Sequence, residues 1–96
     1  MDLLAELRAQ REDIVALAAR HGVSNIRVFG SVARGEATAT SDVDLLVDFD
    51  YSGSGLRFFA LIPALEALLG RHVDLVTVNA LNKYFRDLVL SEAVPL

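Results

Sequence analysis

Two carboxylates separated by one residue, Asp42 and Asp44, come seven residues after the segment Phe29-Gly30-Ser31-Val32-Ala33-Arg34-Gly35. On a strand, residues two apart share a face. Like charges held that close cost free energy unless a proton or a cation sits between them. Mg²⁺ takes oxygen ligands and commonly combines one or two carboxylates with substrate phosphates. The competing reading is a solvated strand face, which Asp48 would continue. Gly30 directly follows an apolar run, so the chain can turn sharply there and approach a ligand with no side chain in the way. A helical turn starting at Ser31 would aim free N–H groups at an anion, and the Ser31 hydroxyl adds a donor. Taken alone, Gly-Ser is also a common turn. Asp74 interrupts the apolar stretch Val73-Asp74-Leu75-Val76. It joins the first pair if its strand is a sheet neighbour, and faces solvent otherwise. Arg34 either touches a phosphate or pairs with a nearby acid to fix the loop. A phosphate loop of the Gly-x-x-x-x-Gly-Lys-Ser/Thr kind is excluded, because Glu36-Ala37 follows Gly35; a Gly-x-Gly-x-x-Gly dinucleotide fingerprint is absent. His21 and His72 lack metal-ligand spacing and read as surface residues.

The elements that must position these groups follow from periodicity. Leu3, Leu7, Ile14, Leu17 and Ala18 predict a helix over 2–20, capped by Asp2, interrupted at Gln10-Arg11 and stopped by Gly22. Residues 26–29 alternate as a short strand. In 43–49, Val43, Leu45, Val47 and Phe49 fall on one face, and Asp44, Leu46 and Asp48 on the other. Ser52-Gly53-Ser54-Gly55 is a loop. A second helix is predicted over 56–69, with Phe58, Leu61, Ile62, Leu65, Leu68 and Leu69 inward, Pro63 kinking or limiting it, and Gly70 ending it. Residues 72–78 predict a third strand with Asp74, Val76 and Val78 on one face. Asn79 is the expected cap of a last helix over 80–92, built on Leu81, Phe85, Leu88 and Val89. The order implies an α/β (α+β) chain, a small mixed sheet backed by helices, in a single domain over residues 1–96.

Composition narrows the function. The net charge of −4 argues against a general nucleic-acid binder, whose contact face would be basic. The absence of cysteine removes disulfides, thiolate catalysis and cysteine-held metal sites. No apolar run has membrane-spanning length, so no membrane partner is expected. The first six residues show no basic segment before an apolar one; no signal peptide is expected, and the cytoplasm is the expected location. Apolar residues make up 53% of the chain, with a mean hydropathy of +0.41, more than a small core absorbs, and the surplus suggests a protein partner.

Gly30-Ser31-Val32-Ala33-Arg34-Gly35 followed by Ser41-Asp42-Val43-Asp44-Leu45-Leu46-Val47-Asp48-Phe49 resembles the signature of the minimal nucleotidyltransferases, a branch of the DNA polymerase β superfamily. Leu69-Gly70-Arg71-His72-Val73-Asp74-Leu75-Val76-Thr77 is similar to the segment carrying that family's third carboxylate, and Glu92-Ala93-Val94-Pro95-Leu96 to its usual end, with an uncommon proline. The resemblance implies the polymerase β palm-like fold. It implies catalytic, metal-holding Asp42, Asp44 and Asp74 with two Mg²⁺ ions, and Gly30, Ser31 and Arg34 at the nucleotide, ATP. It further implies AMP transfer to a tyrosine of a cognate HEPN-type toxin, the chain acting as antitoxin in a hetero-oligomer. Two alternatives are an antitoxin that neutralises by contact alone, suggested by the apolar last helix, and a nucleotidyltransferase for a small molecule such as an aminoglycoside. The lack of a substrate domain counts against the second.

Overall fold

The computed structural model describes residues 2–96. The elements are α1 (Leu3–Ala9), α2 (Arg11–Arg20), β1 (Val23–Phe29), α3 (Gly30–Arg34), β2 (Val43–Phe49), α4 (Leu56–Leu69), β3 (Val73–Thr77), a 3₁₀ turn (Val78–Ala80), α5 (Lys83–Glu92) and β4 (Val94–Pro95). They form an α+β fold around one mixed four-stranded sheet in the order β3-β2-β1-β4. β2 is antiparallel to β1 and parallel to β3; β4 is antiparallel to β1.

The core lies against the sheet face defined by Val43, Leu45 and Val47, all buried as their alternation requires. α1, α2 and α4 cover that face with Leu3, Leu7, Ile14, Ala18, Leu61 and Leu65. Burying such side chains contributes about 1.5–3 kcal/mol each relative to exposure. The opposite face carries Asp44 and a fully buried Leu46; Val89, the buried residue of α5, lines one pocket with Asp44 on that side.

Several expectations change. The helix predicted over 2–20 is two helices that break at Gln10, where apolar spacing lapses; Gln10 N–H donates to Leu7 O at 3.0 Å, closing α1. Asp2 caps α1 as expected, accepting from Leu4 N and Ala5 N. β1 begins at Val23, three residues earlier than its alternation suggests, because a bulge between Ser24 and Arg27 breaks the period; Asn25 sits there at φ 51°. Pro63 does not end α4. The carbonyl its missing N–H would have bonded belongs to Phe59, which is 65% exposed, so water can satisfy it. The last helix starts at Lys83, and its cap is Asn82, which accepts from Tyr84 N and Phe85 N at 3.0 Å; Asn79 lies in the 3₁₀ turn instead. Phe85 and Leu88, expected inward, are 57% and 58% exposed. β4 has no counterpart in the sequence reading: two residues show no periodicity, and Pro95 discourages a strand, yet an edge position tolerates it.

Candidate active site

β2 and β3 run parallel in a register that sets Asp44 opposite Asp74, while β1 sets Phe29 opposite Asp44 on the other side. Gly30 follows Phe29 at φ 72°, a left-handed conformation that suits glycine. A Cβ built on Gly30 would lie 2.1 Å from Asp44 Oδ2. The space a side chain would fill is therefore taken by the carboxylate, which fixes the turn beside it.

An open cleft of about 630 Å³ is lined by Gly30, Ser31, Arg34, Asp42, Asp44 and Asp74, so all six residues singled out from the sequence face one space. Thr40, Phe85, Leu88 and Glu92 share the lining. Asp48 does not: its carboxylate pairs with Arg27 Nη2 at 2.9 Å and accepts from Asn25 at 3.0 Å. His72 is exposed and bonds Glu66, whereas His21 is half-buried and bonds Leu17 O.

Asp44 shows what the cleft favours. Its pKa rises from 3.8 to about 6, first through burial, then through a hydrogen bond with Asp74 and repulsion from Asp74 and Asp42; Arg34 opposes the rise. An acid whose ionisation is opposed by burial and by neighbouring acids favours a cation beside it. Among the described residues, no three acidic or imidazole groups close into a metal cage. The all-oxygen donor set of Asp42, Asp44 and Asp74 fits Mg²⁺, which takes carboxylates together with substrate phosphates.

The metal-free protein is expected to lose stability as pH rises. Between the ordinary carboxylate value and about 6, folded Asp44 holds a proton that the unfolded chain releases, so stability falls across that window. His72, raised mainly by its bond to Glu66, acts in the same direction at higher pH, being stabilising only while protonated. Asp50 and Glu66 are lowered, chiefly by bonds from Ser52 and from the Val73 N–H, and act oppositely at lower pH. Melting in EDTA should thus be higher at pH 5 than at pH 7.5, with Mg²⁺ removing most of the gap. Equal melting at both pH values would contradict this.

Two residues missed by sequence reasoning complete the site. Glu92, at the end of α5, accepts the Gly30 N–H at 2.8 Å and pairs with Arg34 at 3.2 Å; Arg34 also meets Glu36 at 3.3 Å. Gly30 thus contributes clearance, its N–H already being engaged. Arg71 donates from Nη1 to the carbonyls of Thr38, Ala39 and Ser41 at 3.1, 3.0 and 3.4 Å, pinning the loop that ends at Asp42. No local pattern marks either one: Glu92 is 62 residues from Gly30, and Arg71 is 33 from Thr38. Arg71→Ala should leave the fold intact and lower turnover about tenfold by loosening Asp42, since small misplacements in a reacting site are costly. Unchanged turnover, measured with saturating nucleotide, would show that the loop holds itself.

A mixed sheet with an acidic pair on one strand, a third acid on the parallel neighbour and a glycine turn against them defines a protein of the nucleotidyltransferase class. The family model described as nucleotidyltransferase domain matches residues 8–96. The chain belongs to this family. It is 52% identical over 75 residues to the protein adenylyltransferase MntA of Thermococcus cleftensis, covering 78% of this chain and 76% of that one. A solved chain described as a minimal nucleotidyltransferase is 52% identical, with a TM-score of 0.84 over 100% of this chain and 97% of its own. A toxin–antitoxin crystal structure with AMP-PNP matches in fold at 22% identity, with a TM-score of 0.73 over 88% of this chain and 69% of that one. No helix among the described residues is long and apolar enough to cross a membrane.

Proposed function

We propose that this chain is an Mg²⁺-dependent protein adenylyltransferase that moves AMP from ATP to a tyrosine hydroxyl of a cognate HEPN-type toxin, silencing it as its antitoxin. The observation that carries this reading is the convergence of Asp42, Asp44 and Asp74 on the cleft onto which Gly30 and Ser31 open. Those three carboxylates would hold Mg²⁺, which when bound offsets phosphate charge and stabilises the attacking and leaving oxygens. The Ser31 turn orients the β- and γ-phosphates, and Arg34, paired with Glu92 and Glu36, stands at the end of that turn on the same wall. Asp74 accepts the tyrosine proton as its oxygen bonds the α-phosphorus; the bond to the β-phosphate oxygen breaks and diphosphate leaves. Positioning and charge stabilisation are the protein's main contributions to such a transfer.

A protein acceptor is supported by the surface. Tyr84 is 90% exposed and Phe85 and Leu88 are more than half exposed, and the last two also line the cleft. The described residues contain one sheet and no second unit to grip an acceptor. The Thermococcus relative supports the adenylyl group and, with the fold-level neighbour, the toxin–antitoxin setting. Use of ATP and Mg²⁺ fits a cytoplasmic protein.

The test is intact-mass spectrometry of the adjacent gene's product after incubation with this protein, ATP and Mg²⁺, beside the Asp42→Asn/Asp44→Asn variant. Addition of one or more AMP units by the wild type alone is expected. A stable complex with no mass gain would replace the reading with neutralisation by contact alone.

A further inference from the structure

We infer that Glu92 is a positioning residue for the nucleotide-binding turn, an inference that rests on the transferase reading above. α3 is five residues long, and one carboxylate holds both of its ends: Glu92 Oε1 accepts from the N–H of Gly30, its first residue, at 2.8 Å, and both Glu92 oxygens meet Nη1 of Arg34, its last, at 3.3 and 3.2 Å. The Glu92 side chain is only 20% exposed and its bond from Gly30 is partly buried, while the pair with Arg34, 46% exposed, lies nearer solvent. Charge-assisted bonds of this kind are about twice as strong as neutral ones. On its other side, Gly30 abuts Asp44 with no room for a methyl group. The turn is therefore held between Asp44 and Glu92, one carboxylate from β2 and one from α5.

Electrostatics alone would not place Glu92 here. Asp42, Asp44 and Asp74 already line the cleft, and a fourth acid repels a polyanionic nucleotide. Arg34 offsets that charge in the ion pair. What Glu92 adds is geometry, since α3 is short and, among the described residues, Glu92 is the acceptor of its Gly30 N–H. Truncation should act in two opposed ways on nucleotide binding: a looser turn weakens it, while one negative charge fewer strengthens it. The two largely cancel in KM. The orientation of the phosphates for in-line displacement has no such offset, so the loss falls on kcat.

The experiment compares Glu92→Ala and Glu92→Gln with the wild type in AMP transfer, and measures amide hydrogen exchange at Gly30 by NMR in the metal-free proteins. Glu92→Ala should lower kcat about 30–100-fold with KM for ATP within about threefold, as a displaced reacting geometry does. Gly30 exchange should be slow in the wild type, fast in Glu92→Ala and slow again in Glu92→Gln, whose amide oxygen still accepts the bond, and kcat of the glutamine variant should lie between the other two. An unchanged kcat in a folded Glu92→Ala protein overturns the inference. So does a fall in KM with kcat kept, the signature of a carboxylate that merely competes with phosphate. A wild type that transfers nothing sinks the transferase reading instead. In that case Gly30 exchange still decides this one: slow exchange retained in Glu92→Ala overturns it, and fast exchange restored to slow in Glu92→Gln upholds the clamp on the turn.

Discussion

Asp44→Asn lowers the rate of AMP transfer by about 10³-fold or more and at the same time raises the melting temperature of the metal-free protein. The rate falls because the substitution removes a charge from the centre of the acidic trio. A bound divalent ion supplies several kcal/mol of charge stabilisation to the reacting phosphate, and each 1.36 kcal/mol is about tenfold. Stability rises for the complementary reason. Asp44 is the half-buried member of the trio, and its ionisation is opposed by burial and by both neighbouring acids. A shift from 3.8 to about 6 corresponds to about 3 kcal/mol in full; discounted for solvent screening of a partly exposed group, about 1–2 kcal/mol is expected. Asparagine keeps the shape, can still hydrogen-bond Asp74 and carries no charge. For a domain of this size the gain is about 5–10 °C at pH 7.5. It should fall to about half near pH 5 and vanish only below about pH 4, where the unfolded chain's carboxyl is protonated as well. Differential scanning calorimetry with EDTA, then with Mg²⁺, separates the cases: Mg²⁺ should raise the melting temperature of the wild type and leave the variant unmoved. A variant that melts lower at pH 7.5, or keeps its turnover, would show that Asp44 is a structural acid and that the cation site lies elsewhere.

The sheet strands β2 and β3 and the helix α4 were legible in the sequence because each has a long, regular apolar period and a glycine or a polar loop at its ends. The reading of Asp42, Asp44 and Asp74 as neighbours depended on one unproven step, that residues 73–77 pair beside residues 43–47. Parallel pairing in that register supplies it. Errors gathered where short-range pattern carries little information. Gln10 ends one helix and precedes the next; the lapse in apolar spacing at Gln10-Arg11 marks an interruption but does not by itself tell one interrupted helix from two. The cap of α5 is Asn82, and Asn79 offers the same chemistry three residues earlier; the 3₁₀ turn decides between them. β4 and the Glu92 clamp arise only from closure of the chain, when the last residues return to β1, and no local window contains both partners.

Gly30→Ala tests how tightly the turn is fitted to the carboxylate, and Gly35→Ala is its natural control. Both glycines have left-handed backbones, at φ 72° and 74°, so alanine strains either position by about 1–2 kcal/mol. They differ in what the new methyl group meets. At Gly35 nothing lies within 4 Å; at Gly30 the methyl carbon would lie 2.1 Å from Asp44 Oδ2 and 3.1 Å from its Cγ. The neighbour that must yield is the end of a side chain, so relief is sterically cheap: the Asp44 carboxylate rotates or shifts by about 1 Å. Stability should then fall only modestly further, about 1–3 kcal/mol in all for Gly30→Ala. Function has no such relief, because the shift displaces the central acid of the trio from Asp74 and from the turn. A misplacement of that size costs about 10²-fold in rate. The expected result is a pair of variants with similar melting temperatures, of which Gly35→Ala retains AMP transfer and Gly30→Ala loses about 99% of it. Adding Asp44→Asn to Gly30→Ala should cost far less than it does in the wild type, because the carboxylate has already left its place. Full additivity of the two losses would mean that the alanine acts on the phosphates directly and not through Asp44.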